Sequence, residues 1–517
     1  MYEVVEKIKS PKRGVKKDAT RKQIRGSSLL LVGRVLSVGI NFAAQVMVVR
    51  YLSTTDFGAW AYGLSIVAFC QSFAIFGLDR AITRFVPIYH EKQEYNKLFG
   101  TIILVVGAVV LIGLLIVGLF YIAPDKLASL VKDGQAPVSL LLIMILLVPV
   151  EAFDSLMTGM FASFTNPRAI FFRKHILGPS LKLAAVALMI FFKSSVVFLA
   201  YGYLAAYMLG IVLYIFVFMR LLRQQGLFEH FSLGTTTFPV KEIFAFTLPL
   251  LSSDLVTVLM HSSDTMLLGY FHDTTQVAMF RVVLPAAHMN NIVMAAFGIL
   301  FTPLAARLFA KNDYAGINEL YWRSAMWMGV LSFPIFALTF SLAKPLTIFL
   351  YGARYEQSWI ILSLMSFGYY FHVVLGNNGL TLKVLGKLRY IVVINTLAAI
   401  VNVIVNLLLI PRYGALGAAI GTTSTMVAHG IFKQTGLRLV AGISPFEWRF
   451  FSFYILIAAS GLVLFLSQFF IGDNIYVAIA LAAFVTLCVF WASRKKLQLA
   501  ETFPELMKIG IVKKFFA

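Results

Sequence analysis

The chain has 517 residues, of which 60% are hydrophobic and 13% charged, whereas soluble domains run at about 45–50% apolar. That balance excludes a soluble globular protein and makes the chain an integral membrane protein. The formal net charge of +21 is explained by basic residues at one membrane face and calls for no nucleic-acid partner.

Apolar runs recur from residue 27 to residue 493, each close to the roughly 20 residues that a bilayer-spanning helix needs. They are continuous rather than alternating, which excludes a β-barrel. The expected fold is an all-α polytopic membrane protein with about 14 transmembrane helices, at 27–50, 58–78, 99–122, 137–162, 176–192, 196–219, 244–269, 277–304, 325–349, 357–382, 390–410, 414–437, 450–471 and 474–493. Residues 27–242 form an N-terminal six-helix lobe and 243–440 a C-terminal one, around a central cavity. Two further helices occupy 441–493, between basic cytoplasmic tails at 1–26 and 494–517.

In the first tail, Lys7, Lys9, Lys12, Arg13, Lys16, Lys17, Arg21, Lys22 and Arg25 precede the first apolar run. No short apolar core with a cleavage site follows, so the segment reads as an orientation signal and headgroup anchor. The first helix carries a polar stripe, Arg34, Ser37, Asn41 and Gln45, at i, i+3, i+7 and i+11, which stays on one side of a 3.6-residue helix. Glu151 and Asp154 lie inside the fourth helix beside Pro149, as carriers of protons or ions or, paired with Lys182 in the fifth, as structural charges. Cys70 and Cys488 both fall within helices and read as apolar packing residues.

The stretch 244–307 is the most chemically loaded. Two apolar helices joined by the loop 270–276 carry Asp254, His261 and Asp264 on one arm and Arg281 and His288 on the other. A charge at mid-membrane costs about 2.5–3.5 kcal/mol on insertion scales, so such groups face a cavity or a partner. At 1.5 Å per residue, Asp264 lies about 8 Å and Arg281 about 6 Å from the outer end of the hairpin, at similar depth. Asp254, Thr257, His261 and Asp264 repeat the stripe of the first helix, and a shift of 219 residues places Tyr51, Thr55, Ala59 and Tyr95 on Tyr270, Thr274, Ala278 and Tyr314. An even number of helices per half gives both halves the same orientation in the membrane.

Further on, His372 and His429 stand alone on apolar helices and read first as packing histidines, with proton carriage as the alternative. Gly414, Gly417 and Gly421 sit in an apolar helix, where small residues permit close packing. There is no glycine loop followed by Lys and Ser or Thr for a nucleotide, and no Cys and His set at metal spacing. No metal and no cofactor are expected. The longest outward connection, 123–136, is short for a membrane enzyme acting on sugars.

Of the 44 Lys and Arg, only Arg50, Lys126, Lys132, Lys193, Lys344, Arg354 and Arg412 fall at outward ends or loops if residue 1 is cytoplasmic, and Arg34, Lys182 and Arg281 lie within helices. The rest mark the inward face, so both termini are expected in the cytoplasm and the chain in the cell (inner) membrane as a multi-pass protein.

Helices 10 to 12 carry the run Gly-Leu-Thr-Leu-Lys-Val-Leu-Gly-Lys at 379–387, then Asn395, Asn402 and Asn406, then Ile-Pro-Arg-Tyr-Gly-Ala-Leu-Gly-Ala-Ala at 410–419. Together with Arg-Tyr-Leu-Ser-Thr-Thr-Asp-Phe-Gly at 50–58, this resembles the O-antigen and polysaccharide flippases. Their superfamily also holds multidrug exporters and the peptidoglycan lipid flippase. The resemblance covers roughly residues 25 to 495. It implies two six-helix lobes that turn a polyprenyl-pyrophosphate-linked oligosaccharide from the cytoplasmic to the outer leaflet by alternating access. In the peptidoglycan relatives basic residues of helices 1, 2 and 8 line the cavity; here Arg34 and Arg281 match helices 1 and 8 in kind, while Arg80 and Arg84 lie at the cytoplasmic end of helix 2.

On this reading Arg34, Asn41, Arg281 and His288 bind substrate, and Asp254, His261 and Asp264 couple or gate through a proton or sodium. The partners are the lipid-linked oligosaccharide, membrane lipids and polysaccharide-assembly proteins. A cation-coupled multidrug antiporter is the rival transporter. A polymerase or ligase of glycan assembly is the rival enzyme, which the short outward loops argue against.

Overall fold

The computed structural model describes residues 13–122, 124, 135–164, 166–232, 234–444 and 447–497. Within them, the side chains of 13–29, 31, 135–137, 252–255, 257, 261 and 495–496 lie outside the described set, as do residues 1–12 and 498–517 of the two tails. Every regular element among the described residues is helical. Among the described residues, twelve helices are long and apolar enough to cross a membrane, where 14 were expected.

Two features account for the difference in count. Leu388–Ala441 forms one 54-residue helical stretch that bends at Gly414, with φ 55° and ψ −132°, so two runs join without a loop. Val240–Phe271, a 32-residue helix, stands apart from the twelve and passes through the side chains outside the described set.

Helix starts follow local chemistry. Asp273 accepts a hydrogen bond from the Gln276 amide at 2.9 Å to cap Thr274–Arg281, and Asp313 accepts from the Gly316 amide at 2.7 Å to cap Tyr314–Phe336. Such caps satisfy donors that the first helical turn leaves free.

The chain divides into two compact units. The first comprises Met1–Gln45, Phe73–Val117 and Leu146–Leu250. Its core joins Leu78, Ile82, Leu98, Val105, Val109, Leu147 and Phe161, all buried. Phe161 meets Tyr214 at 5.0 Å and Phe218 at 5.8 Å between ring centroids. Gly113 lets the Tyr95–Ile122 helix approach Pro149, since a Cβ there would stand 2.7 Å from the proline. In lipid, helices gain little from hiding apolar surface, so such close approach supplies much of the attraction.

The second unit comprises Val46–Ser72, Gly118–Ile145 and Leu251–Ala517. Its core gathers Trp322, Phe333, Phe336 and Tyr370, with Phe336 stacked on Tyr370 at 4.0 Å and on Phe340 at 4.7 Å. Phe453, Ile457 and Leu464 of Phe451–Ile471, and Ala478, Ala482 and Val489 of Ile475–Leu497, pack into the same cluster. Gly461 admits the Phe336 ring at 3.4 Å from a would-be Cβ. Lys344 joins Glu356 at 3.0 Å and Asp473 at 3.8 Å. Reciprocal arginines also tie this unit: Arg50 donates to the Leu350 carbonyl at 2.9 Å and to that of Phe349, while Arg354 donates to the carbonyls of Val49 and, at 2.9 Å, Arg50. Each guanidinium thereby fills acceptors at a helix C-terminus.

Candidate functional site

Asp264 is 4% exposed, deep in the second unit. Its carboxylate accepts from Asn406 Nδ2 at 2.7 Å, Thr422 Oγ1 at 2.9 Å and Ser263 Oγ at 3.4 Å. Asn402 completes the cage. Its Oδ1 accepts from Asn406 at 3.2 Å and from Ser263 at 3.3 Å, and its Nδ2 donates to Thr422 at 3.4 Å.

Helical spacing explains this set, since Asn402 and Asn406 are four apart and share one face. Gly421 allows Asn406 to seat against the neighbouring run, its would-be Cβ falling on the Asn406 side chain. The Asn406 Oδ1 is buried without a hydrogen-bond partner among the described residues, a condition that costs about 1–3 kcal/mol. The oxygens that converge are those of the Asp264 carboxylate, Asn402 Oδ1 and Thr422 Oγ1, while Asn406 turns its Nδ2 toward them and its Oδ1 toward Gly421; oxygen donors suit a hard cation rather than a soft one.

Arg281 is half-buried and acts electrostatically on Asp264 and on Tyr369. The helix carrying it is broken. Thr274–Arg281 ends there, Leu284–His288 follows, then a 3₁₀ turn at Met289–Asn291, and only at Ile292–Ala310 does a long helix resume. The backbone stays in the right-handed helical region through these junctions, and Pro285, which has no amide to donate, leaves a helical acceptor open within the span. His288 Nε2 lies 2.7 Å from the Tyr369 hydroxyl. Asn290 is buried and donates to the Ala287 carbonyl and to Thr339 Oγ1, each at 3.0 Å. Arg281, His288 and Asp264 thus fall in one unit. The backbone at Asp254 and His261 is helical, and their side chains lie outside the described residues.

In the first unit Arg34 is exposed, and Asn41 donates to the Ser37 carbonyl at 2.8 Å. Ser37 donates to the Arg34 carbonyl at 2.9 Å and meets His175 Nδ1 at 3.2 Å, so part of the stripe on the first helix is bonded locally.

A second buried cluster lies in this unit. Arg173 bonds Asp154 at 2.6 Å, with its guanidinium 5.3 Å from the Tyr214 ring centroid. Lys182 donates to the Tyr207 hydroxyl at 2.7 Å, and Tyr207 also bonds Glu151. Arg173 reaches this place because Phe171–Leu177 is a π-helical turn and because Gly178 and Gly210 leave room for its guanidinium. Sequence reasoning named Glu151, Asp154 and Lys182 but missed Arg173, which reads there as a loop cation. The cage residues Asn402, Asn406 and Thr422 were missed as ligands too; the i, i+4 asparagine pair was the available signal.

Residues 24–309, more than half of the chain, match the family model described as polysaccharide biosynthesis protein. Residues 249–408 match the MatE model. The chain is 21% identical over 425 residues to an uncharacterized membrane protein of Methanocaldococcus jannaschii, covering 80% of this chain and 83% of that one. Among solved structures, the fold resembles the lipid II flippase MurJ in an inward closed conformation. That likeness has a TM-score of 0.67 and 15% identity, and covers 90% of this chain and 98% of the other. It also resembles an inward-facing multidrug resistance MATE family transporter, with a TM-score of 0.63, 14% identity, and 78% and 94% coverage. The chain belongs to the polysaccharide biosynthesis protein family, and it is a multi-pass membrane protein whose fold resembles those of the two solved proteins.

Proposed function

We propose that the protein is a flippase that moves a polyprenyl-pyrophosphate-linked oligosaccharide from the cytoplasmic to the outer leaflet of the cell membrane by alternating access, for cell-surface polysaccharide biosynthesis. The observation that carries the reading is the broken helix of a polysaccharide-family chain, with Arg281 at its first break. A diphosphate cannot cross apolar lipid unaided, and a guanidinium offers its oxygens a bidentate, permanently charged partner. Arg34, Asn41 and His288 are the other substrate contacts in this proposal.

Coupling is assigned to Asp264. A monovalent cation seated on Asp264, Asn402 and Thr422, with the Asn406 amide turned so that its unpartnered oxygen faces the ion, neutralises the carboxylate. Loss of that cation leaves a bare carboxylate to draw Arg281 away from cargo. Asp254 and His261 join the same path.

The test is flipping of a lipid-linked oligosaccharide in proteoliposomes under imposed sodium or proton gradients. Arg281→Ala should abolish transport with insertion intact, and Asp264→Asn should turn over poorly and lose its response to the coupling gradient. Normal rates and a normal gradient response in both variants would overturn the mechanism.

The MatE match over 249–408 supports a second reading, a cation-coupled multidrug antiporter. Export of cationic dyes by the same vesicles, with no flipping, would favour it.

A further inference from the structure

A cavity of about 310 Å³ opens in the second unit, at the lower end of the roughly 300–1,000 Å³ typical of small-molecule sites. The coupling cage contributes Asn402 and Thr422 to one part of its wall. The remainder has a different character: Lys433, His429 and His372 line it, with Asn395, His288 and Tyr369. Thr422, Thr425, Met426, His429 and Lys433 fall at helical spacing and turn one face of the Leu388–Ala441 helix into that wall.

The electrostatics of this wall are one-sided. Lys433 is acted on by Lys383, His429 by Lys433 and His372, and His372 by Lys433. Each of these partners is a cation or an imidazole, and among the described residues the lining itself contains no carboxylate; Asp264 lies behind it, bonded to Thr422.

A lysine near the end of a membrane helix can extend its ammonium to the interface. Lys433 packs instead against its neighbours, its Nζ 3.8 Å from where a Cβ on Gly379 would stand. His429 Nε2 lies 2.8 Å from Asn395 Oδ1, which leaves its Nδ1 and the Asn395 amide nitrogen for another partner. An accumulation of positive groups in a low-dielectric recess is stabilised by an anion that gathers their donors.

We infer that this cavity binds an oxyanion of the phosphate class, with Lys433 as the charge that holds it and His429, His372 and Asn395 as surrounding donors. Arg281 is not among the residues that line it, and the inference does not depend on the cargo proposed above. The same anion chemistry is available from free phosphates and from a diphosphate lipid headgroup, and the experiment separates the two.

Inorganic pyrophosphate is titrated calorimetrically into the purified full-length protein in nanodiscs, at about pH 6 and about pH 8. Binding is expected from the native protein. Lys433→Met should weaken it by at least about tenfold, or about 1.4 kcal/mol, and Lys433→Arg should retain it.

Thermal melting guards against a folding artefact. Lys433→Met removes a cation from a repulsive cluster, so its anion-free melting temperature should match or exceed that of the native chain, and added pyrophosphate should stabilise only the native protein. Nanodiscs containing a polyprenyl diphosphate give the last arm. Competition with pyrophosphate that Lys433→Met abolishes assigns the site to a lipid headgroup, and absence of competition assigns it to the free anion. Absence of pyrophosphate binding by the native protein at either pH, or unchanged affinity in Lys433→Met, would overturn the inference. Transport is not measured here, so a failed flippase reading would leave this result intact.

Discussion

Asp264 and Asp154 are both carboxylates inside apolar helices, yet their partners set them apart. Asp154 has a full counter-charge in Arg173 at 2.6 Å, and both side chains are largely buried. Breaking such a pair leaves a lone charge and costs about 3–5 kcal/mol, while replacing both partners is often neutral. Arg173→Met is therefore expected to lower the melting temperature sharply, and the double variant Arg173→Met with Asp154→Asn to recover most of the loss, as read by thermal unfolding in detergent. Asp264 is held by amides and hydroxyls, with one oxygen of Asn406 left over. That arrangement tolerates Asn at 264 as a fold and changes what it binds, so sodium should raise the melting temperature of the native chain and not of Asp264→Asn. Arg34 offers a third residue-level test. It is exposed, and a guanidinium that grips a phosphate in two places is not replaced by lysine. Arg34→Lys should lose flipping at normal expression, whereas full transport by the variant would reduce Arg34 to an interface anchor.

At the scale of elements, the breaks matter more than the helices. Gly414 takes φ 55° and ψ −132°, and a Cβ there would lie 2.6 Å from Gln276 Oε1. Non-glycine residues avoid this backbone region at a cost of about 1–3 kcal/mol. Gly414→Ala should destabilise the protein by at least that amount, measured as a fall in melting temperature. It should also disturb the bond from the Ala415 amide to Gln276 Oε1, 3.0 Å in the native chain. The three glycines at 414, 417 and 421 were legible as packing residues. Gly417 does sit against the Leu409 backbone and Gly421 against Asn406. The bend at Gly414 was not legible, because the apolar pattern runs through it. The breaks between Arg281 and Ile292 were hidden for the same reason: hydropathy reports whether a segment can enter lipid, and every piece of that helix can.

For the whole molecule, the bias of basic residues predicts the topology. Lys193 and Asp473 lie in connections on the outward side of the expected map and Gln93 and Asn312 on the inward side; Gln93, Lys193 and Asn312 all have positive φ at tight turns. Reporter fusions at Gln93 and Asn312 should read cytoplasmic and those at Lys193 and Asp473 external. A cytoplasmic signal at Lys193 would refute the map of the first half.

The sequence alone settled the class of the molecule, its membrane residence and its family. Those properties are sums over many residues: the length of apolar runs, the asymmetry of charge and a recurring motif spacing all survive without knowledge of contacts. It also named the ionisable residues that lipid would reject, since the cost of burying a charge is large wherever the helix goes. Tertiary structure decided who meets whom. Asp264 lies 142 positions from Asn406 and 158 from Thr422, and no local pattern joins them. Arg173 becomes a buried residue only through a π-helical turn and two glycines on other segments. His372, His429 and Lys433 look like scattered polar residues until packing turns them into one cavity wall. Partition into lipid is a property of segments, while a site is made by side chains converging from segments that the chain places far apart.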